Sequence, residues 1–346
     1  MTPVVSVIIP AYNTGSYIGK AIESALTQTL ADLEVLVVDD CSTDDTVAIV
    51  QSFTDNRLKL FQNSHNLGAS GARNRALQAA RGKWIAVLDA DDWYAPERLA
   101  TLVAHAEAND ADLLSDDLYL IEDGDTILWG TLLTESGEQI DRVTQIESDY
   151  FVNSDIEGQQ GLRLGFSKPL LRREFLERYN LKYNPNIKIA EDFWLYMDCF
   201  RYQARFFFVP QPYYYYRSRL GSLVHSDKIQ RLEAEDRTIS NFLKHEDFLT
   251  KNPRTLAALL TRQTATRNYR NYYKVVEPLK QGKVAIALTE MINNFEGVLS
   301  LFIQRIPAII DRRIKKKPLE VGHEAAFLFW GSPRIKKRQD STAPTS

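Results

Sequence analysis

Residues 4–9 form a β-branched apolar run closed by Pro10, the pattern of a short buried strand. Tyr17, Ile18, Ala21, Ile22, Ala25 and Leu26 then recur at helical spacing. The alternation continues. Apolar runs at 33–38, 58–61 and 84–88 predict further buried strands, each followed by helical periodicity. One helix is expected to open on Ser42 as N-cap, with Asp44 and Asp45 in its first turn. A second spans 70–81 and closes on Gly82, and a third runs from Pro96 to residue 108. Parallel strands need crossover connections, so strand–turn–helix units repeated over 1–115 predict a parallel α/β sheet.

The pattern then becomes mixed. Residues 118–121 and 126–129 flank a polar turn like a hairpin, 169–179 and 190–202 read as helices, and 205–209 and 213–216 read as strands. From Ile229 the periodicity is helical over 229–249, 253–275 and 283–316, broken near Asn252-Pro253 and Pro278 to Gly282. This gives a catalytic-size domain over 1–225 (halves 1–115 and 116–225), a helical extension over 226–338 and a polar tail over 339–346.

Composition narrows the class. The chain has 346 residues, 44% hydrophobic and 25% charged, and a formal net charge of −3, which speaks against a nucleic-acid binder. Charge is uneven, since residues 311–338 carry nine Lys/Arg against three acids. Cys41 and Cys199 show no paired spacing, which fits a reducing compartment. No signal-peptide pattern and no apolar stretch of about 18 residues is present, so the expected location is cytoplasmic, soluble or peripheral to the inner face of a membrane.

Candidate chemistry gathers at the carboxyl ends of the predicted strands, where open α/β sheets bind ligands. The first strand ends in Pro10-Ala11-Tyr12-Asn13, the second in Asp39-Asp40-Cys41-Ser42, and the fourth in Asp89-Ala90-Asp91-Asp92. Three carboxylates so close together repel one another, and a hard divalent cation bridging to phosphates, Mn²⁺ or Mg²⁺, would resolve that conflict. Taken alone, the triplet could equally be a solvated acidic turn. A carboxylate at Asp39 or Asp40 could accept a uracil-type imide N–H, and Tyr12 could stack on the base. Residues 66–74 place Gly68 and Gly71 before a helix with Arg73 in its first turns, suited to a diphosphate or to an acidic neighbour. Neither a dinucleotide-binding nor a P-loop glycine pattern is present.

In order and spacing, these four segments resemble the family 2 inverting glycosyltransferases of GT-A fold. The resemblance implies a mostly parallel twisted sheet flanked by helices, and a nucleotide-sugar donor. Within that family's pattern Pro10, Tyr12, Asn13, Asp39, Asp40, Gly68, Arg73, Asp89 and Asp91 would line the donor site. Tyr12 and Asp40 would hold the base with Asp39 in support, Arg73 would brace the pocket, Asp91 would meet ribose or metal, and Asp92 the metal. Cys41 stands where the family often has glycine. Glu191-Asp192 resembles the family's acidic pair at a helix start. An inverting transfer needs a base opposite the leaving diphosphate, and Asp192 is the expected base, oriented by Glu191. The loop with Arg217, Ser222 and His225 resembles a segment that could close over the diphosphate, with Arg217 and Ser222 as donor contacts and His225 as a further metal candidate.

Phe295, Val298, Leu299, Phe302, Ile306, Ile309 and Ile310 share one helical face, and Arg312, Arg313, Lys315, Lys316 and Lys317 follow. Such a segment suits an in-plane membrane helix, or equally a helix docked on the catalytic domain or on a second copy in a homo-oligomer. Residues 165–220 are similar to bacterial exopolysaccharide glucosyltransferases of the succinoglycan type, which implies a UDP-hexose donor such as UDP-glucose and a glycan or lipid-linked oligosaccharide acceptor. The Gln-x-x-Arg-Trp motif of processive synthases is absent. Transfer of one sugar per encounter is therefore expected.

Overall fold

The computed structural model describes residues 2–124, 128–218 and 228–295. Its first half follows the alternation of the sequence: β1 (Val5–Ala11), α1 (Gly15–Leu26), β2 (Leu33–Asp39), α2 (Thr46–Gln51), β3 (Leu58–Gln62), α3 (Gly68–Ala79), β4 (Trp84–Val87), β5 (Trp93–Tyr94) and α4 (Arg98–Ala108). Then come β6 (Leu113–Glu122), β7 (Leu128–Thr131), α5 (Leu132–Ser136), β8 (Thr144–Ile146), α6 (Ser148–Asn153), β9 (Leu170–Arg172), α7 (Arg173–Arg178), α8 (Glu191–Arg201) and β10 (Phe206–Ser218). Among the described residues four helices follow: α9 (Lys228–Phe242), α10 (Glu246–Lys251), α11 (Pro253–Lys280) and α12 (Val284–Asn293).

The sheet runs β3-β2-β1-β4-β9-β6-β10-β5, with β7 on β6 and β8 on β10. Pairing is parallel from β3 through β4 and again between β6 and β10, whereas β9 lies antiparallel to both β4 and β6. β1, β2 and β4 are buried on both faces, as parallel strands covered by helices must be. Ala11 pairs with Asp39 in register, and β4 runs parallel to β1, so the three carboxyl ends form one edge.

Several elements differ from the sequence expectation. The helix after β2 begins at Thr46, and Asp44 stays in the turn before it, accepting hydrogen bonds from Gly15 N and Thr46 N. Ser42 does not cap it; its hydroxyl accepts from Asn13 N. Gly82 is not a left-handed helix stop. It is small because β1 passes it, and a Cβ would sit 2.4 Å from Ser6 N. Residues 169–179 are not one helix. Leu170 and Leu171 are fully buried in β9 inside the sheet, and the helix occupies Arg173–Arg178. The two short runs at 205–216 are one strand whose register shifts at Pro212, where proline cannot donate to the ladder.

The helical extension shares the core of the sheet domain. Ile239, Phe242, Leu249, Ala258 and Leu259 belong to the same buried cluster as β1 and β4. Polar contacts reinforce the junction: the Trp194 indole donates to Glu235, Arg262 holds Glu235 and the Asp155 carbonyl, and Ser148 meets Thr255 at 2.6 Å. α9 to α11 thus pack on the sheet domain. Residues 296–317, which carry most of the apolar and basic face, lie outside the described residues.

Candidate active site

The site is built where β1, β2 and β4 end and α8 begins. Pro10 is the penultimate residue of β1, paired with Val38. Tyr12 follows on the rim with half its surface exposed. Asn13 adopts a left-handed conformation (φ 51°), and its Oδ1 accepts from Thr43 N at 2.8 Å. Asn13 therefore clamps the β1 loop to the β2 loop.

Asp39 and Asp40 are both buried. Asp40 accepts four hydrogen bonds, from Asn63 Nδ2 (2.6 Å), from Leu67 N to each of its oxygens (2.8 and 3.1 Å), and from Gly68 N (2.8 Å). It thus supplies the anion expected at the start of α3, so that helix end is not free for a diphosphate. Its observed work is to pin residues 66–68, and any base contact must share that carboxylate. The Asp39 carboxylate is less occupied, accepting among the described residues only from Ser42 N at 3.3 Å. Gly68 has φ +74°, which explains the glycine. Cys41 takes φ 68°, a left-handed conformation costing about 1–2 kcal/mol for a side-chain residue, so the glycine it replaces has a physical reason.

Arg73 projects from α3 into a cluster of charge. Its NH2 meets Asp89 Oδ1 at 2.7 Å and its NH1 meets Glu191 Oε1 at 2.5 Å, with Asp192 Oδ2 at 3.9 Å. Of the two partners the sequence left open, the acidic one is realised. A second cation, Lys168, completes the group, with Nζ 2.5 Å from Asp192 Oδ2 and 3.1 Å from Asp89 Oδ2. Two cations thus face three carboxylates. Burial would raise the Asp89 carboxyl, but Lys168 and Arg73 outweigh it and hold Asp89 far below the usual range. The same carboxylates hold the Lys168 ammonium well above its ordinary value despite burial.

Glu191 and Asp192 open α8, after Ala190 in a left-handed conformation (φ 60°). Carboxylates in a first turn suit the helix dipole. Asp192 is only 5% exposed, and its Oδ1 is buried without a hydrogen-bond partner among the described residues. Tyr183 is buried beside it, and burial together with the Asp192 charge drives that phenol well up.

The acidic turn after β4 connects to this cluster. Tyr214 OH accepts from Asp89 N and donates to Asp92 Oδ2 at 2.6 Å, while Arg217 N donates to Asp92 Oδ1 at 2.8 Å. Burial, then repulsion from Asp91 and Asp89, pushes the Asp92 carboxyl well above its normal range against those hydrogen bonds. A divalent cation would relieve that repulsion, and its hard oxygen donors would be half-buried Asp91 on the rim and buried Asp92. No cluster of three or more His, Cys, Asp or Glu side chains suited to a metal occurs among the described residues, so phosphate oxygens would have to complete the shell. The donor set fits that mode of binding. His225 and Ser222 lie outside the described residues. Arg217 is engaged within the protein. Its Nε donates to the Asp91 carbonyl, its NH1 meets Asp123 at 3.2 Å, and it lies between the rings of Tyr17 and Trp93, so the guanidinium braces the acidic turn.

Lys168 and Tyr214 escaped the sequence reading. Tyr214 sits in an aromatic run that reads as strand, and Lys168 was hidden by the helix expected over 169–179. The arrangement as a whole joins acids from β4 and α8 with a cation from α3, segments far apart in sequence.

Residues 6–179 match the family model described as Glycosyl transferase family 2. The chain belongs to this family. It is 34% identical over 290 residues to the succinoglycan biosynthesis protein ExoO of Rhizobium meliloti (strain 1021), covering 83% of this chain and 80% of that protein. It is 33% identical over 247 residues to ExoU of the same organism, covering 68% and 69%. A UDP-Glc:alpha-D-GlcNAc-diphosphoundecaprenol beta-1,3-glucosyltransferase, WfaP of Escherichia coli, is 38% identical over 119 residues, 34% of this chain and 47% of that one. Among solved structures, S. aureus TarS 1-349 in complex with UDP-GlcNAc superposes with TM-score 0.57 at 21% identity, covering 85% of this chain and 92% of that one. That likeness places the chain in the GT-A fold. Like other members of glycosyl transferase family 2, it is a glycosyltransferase.

Proposed function

We propose that this glycosyltransferase moves one hexose, with inversion, from a UDP-sugar such as UDP-glucose to a hydroxyl of a lipid-linked glycan in cell-surface polysaccharide synthesis. The observation that carries this reading is the linkage of Asp192, through Lys168 and Asp89, to the Asp91–Asp92 turn. That linkage joins the carboxylate read here as base to the acidic turn read here as facing the phosphates. The relatives named above, one working with UDP-Glc and two named for succinoglycan biosynthesis, support the donor and the pathway class.

Tyr12 stacks on the base of the donor, with Asp39 and Asp40 at its polar edge. A divalent cation held by Asp91 and Asp92, Mn²⁺ or Mg²⁺, would supply positive charge against the diphosphate. Asp192 accepts the proton of the acceptor hydroxyl as that oxygen attacks the anomeric carbon opposite the diphosphate, so an α-linked donor yields a β-glycoside. Glu191, held by Arg73, fixes the start of α8. Burial of the cluster excludes water that would otherwise hydrolyse the donor.

Purified protein assayed with UDP-, GDP- and dTDP-sugars, with and without Mn²⁺ or Mg²⁺, is expected to release UDP from one UDP-sugar only when metal is present. Release from none of the donors, with acceptor lipid supplied, would overturn the proposal. Membrane contact is the second part. Val284, Leu288, Ile292 and Phe295 are each more than half exposed along one side of α12 and the turn after it, a stripe whose spacing continues in the sequence of 298–310. Basic residues at 312–317 would add about 1 kcal/mol each near an anionic surface. In flotation with anionic liposomes, deletion of 295–338 is expected to abolish co-flotation, and an unchanged bound fraction would remove the membrane from the scheme.

A further inference from the structure

Lys168 is the one cation of the cluster that touches Asp192 at hydrogen-bond distance, and the proposed chemistry gives it no role beyond linking that carboxylate to the acidic turn. Its side chain is 7% exposed, and Nζ reaches Asp192 Oδ2 at 2.5 Å and Asp89 Oδ2 at 3.1 Å. The backbone that delivers it is held from three sides. The Lys168 carbonyl accepts from Arg98 NH2 at 2.6 Å, the Ser167 carbonyl accepts from Tyr196 OH at 3.1 Å, and Ser167 Oγ donates to Leu164 O at 2.6 Å. Arg98 is itself fully buried and paired with Asp116, so the donor that fixes Lys168 is also immobile.

Taking an ammonium out of water costs several kcal/mol even after relaxation, and an apolar side chain would fill the same space without that cost. A charge held this rigidly therefore points to a task that needs both its sign and its position. Arg73 does not perform it, because its short contacts go to Asp89 and Glu191, and Asp192 lies 3.9 Å away. Asp192 is a short side chain with two soft torsions at the mouth of a helix, and one fixed partner on Oδ2 is what selects a single rotamer.

We infer that Lys168 is the positioning residue of the base: it holds Asp192 in one orientation and ties it to Asp89 at the end of β4, so that base and donor-binding turn keep a fixed separation. This rests on the reading of Asp192 as base given above. The lysine touches neither donor nor acceptor in this scheme. It acts through Asp192.

The test is a double-mutant cycle on transfer kinetics with Lys168→Met, Asp192→Asn and the pair. For K168M, kcat is expected to fall about 10- to 100-fold, the usual loss when an orienting partner is removed, with donor KM changed less than about threefold. In the Asp192→Asn background, K168M is expected to cause no further loss, because the group it orients no longer accepts a proton. An equal loss in both backgrounds would show that the lysine acts independently, and a donor KM raised more than tenfold with kcat intact would place it in the donor pocket. Either result overturns the inference. Should K168M not fold, as judged by circular dichroism and a thermal melt, Lys168→Gln replaces it in the same cycle, since it keeps a hydrogen-bond donor and loses the charge. Failures are separable. Wild-type-like transfer by Asp192→Asn removes the base itself, whereas inactive Asp192→Asn beside wild-type-like K168M removes only the role of Lys168.

Discussion

Asp192→Asn is expected to lower the rate of sugar transfer by about 10²- to 10⁴-fold, the range that a positioned general base contributes. The substitution keeps the shape of the side chain and an oxygen for Lys168, so the cluster of Arg73, Lys168, Asp89 and Glu191 retains its partners. What is lost is the capacity to take a proton. Affinity for UDP, measured by calorimetry, should change only a few-fold, because the β1 and β2 ends carrying Tyr12, Asp39 and Asp40 are untouched. A transfer rate within tenfold of wild type would move the base elsewhere, with Glu191 the next carboxylate to examine.

Arg98→Met is expected to have the largest effect on stability, about 3–5 kcal/mol in urea or thermal unfolding. Arg98 and Asp116 are both fully buried, joined by three contacts of 2.7–3.2 Å, with the guanidinium against the rings of Tyr94 and Tyr214 at 4.4 and 5.1 Å. Removing the arginine leaves a carboxylate in the interior. Burial already pushes the Asp116 carboxyl above its ordinary value with Arg98 present, and without it the group must bind a proton or unfold its surroundings. Replacing both partners, Arg98→Met with Asp116→Leu, should recover part of the loss, because the unpaired charge is gone while the Lys168 carbonyl and Tyr213 N lose their partners. A loss below about 1 kcal/mol for the single variant would mean that water reaches Asp116. Arg98 also donates to the Lys168 carbonyl, so residual activity of the folded variant should fall as well.

Much of the first half was legible from pattern alone. The apolar runs ending at Pro10, Val38 and Leu88 became β1, β2 and β4, because strands covered on both faces must be apolar throughout, and the polar residues could only gather where those strands end. The segment around β9 was not legible. Leu170, Leu171, Phe175 and Leu176 satisfy a helical period, yet the gap between β4 and β6 takes Leu170 and Leu171 into the sheet, and local periodicity holds no record of that vacancy. Lys168 was lost with it. Gly82 shows the same limit from another side, since a glycine after a helix usually marks a left-handed stop, and only the passage of Ser6 beside it reveals the steric reason.

The amino-acid sequence by itself determined the order of the sheet-forming runs, the acidic turn at 89–92, the acidic pair at 191–192 and, through their joint spacing, the family. These depend on neighbours along the chain, where side-chain period and turn chemistry act directly. Tertiary structure alone decided which partner each charged group meets: Arg73 with Asp89 and Glu191, Lys168 with Asp192, Asp40 with the backbone N–H groups at the start of α3, and Arg217 with the Asp91 carbonyl. Pairing of buried charges is a matter of a few ångströms between distant segments, and the desolvation that makes each pair matter exists only once the chain has closed around it.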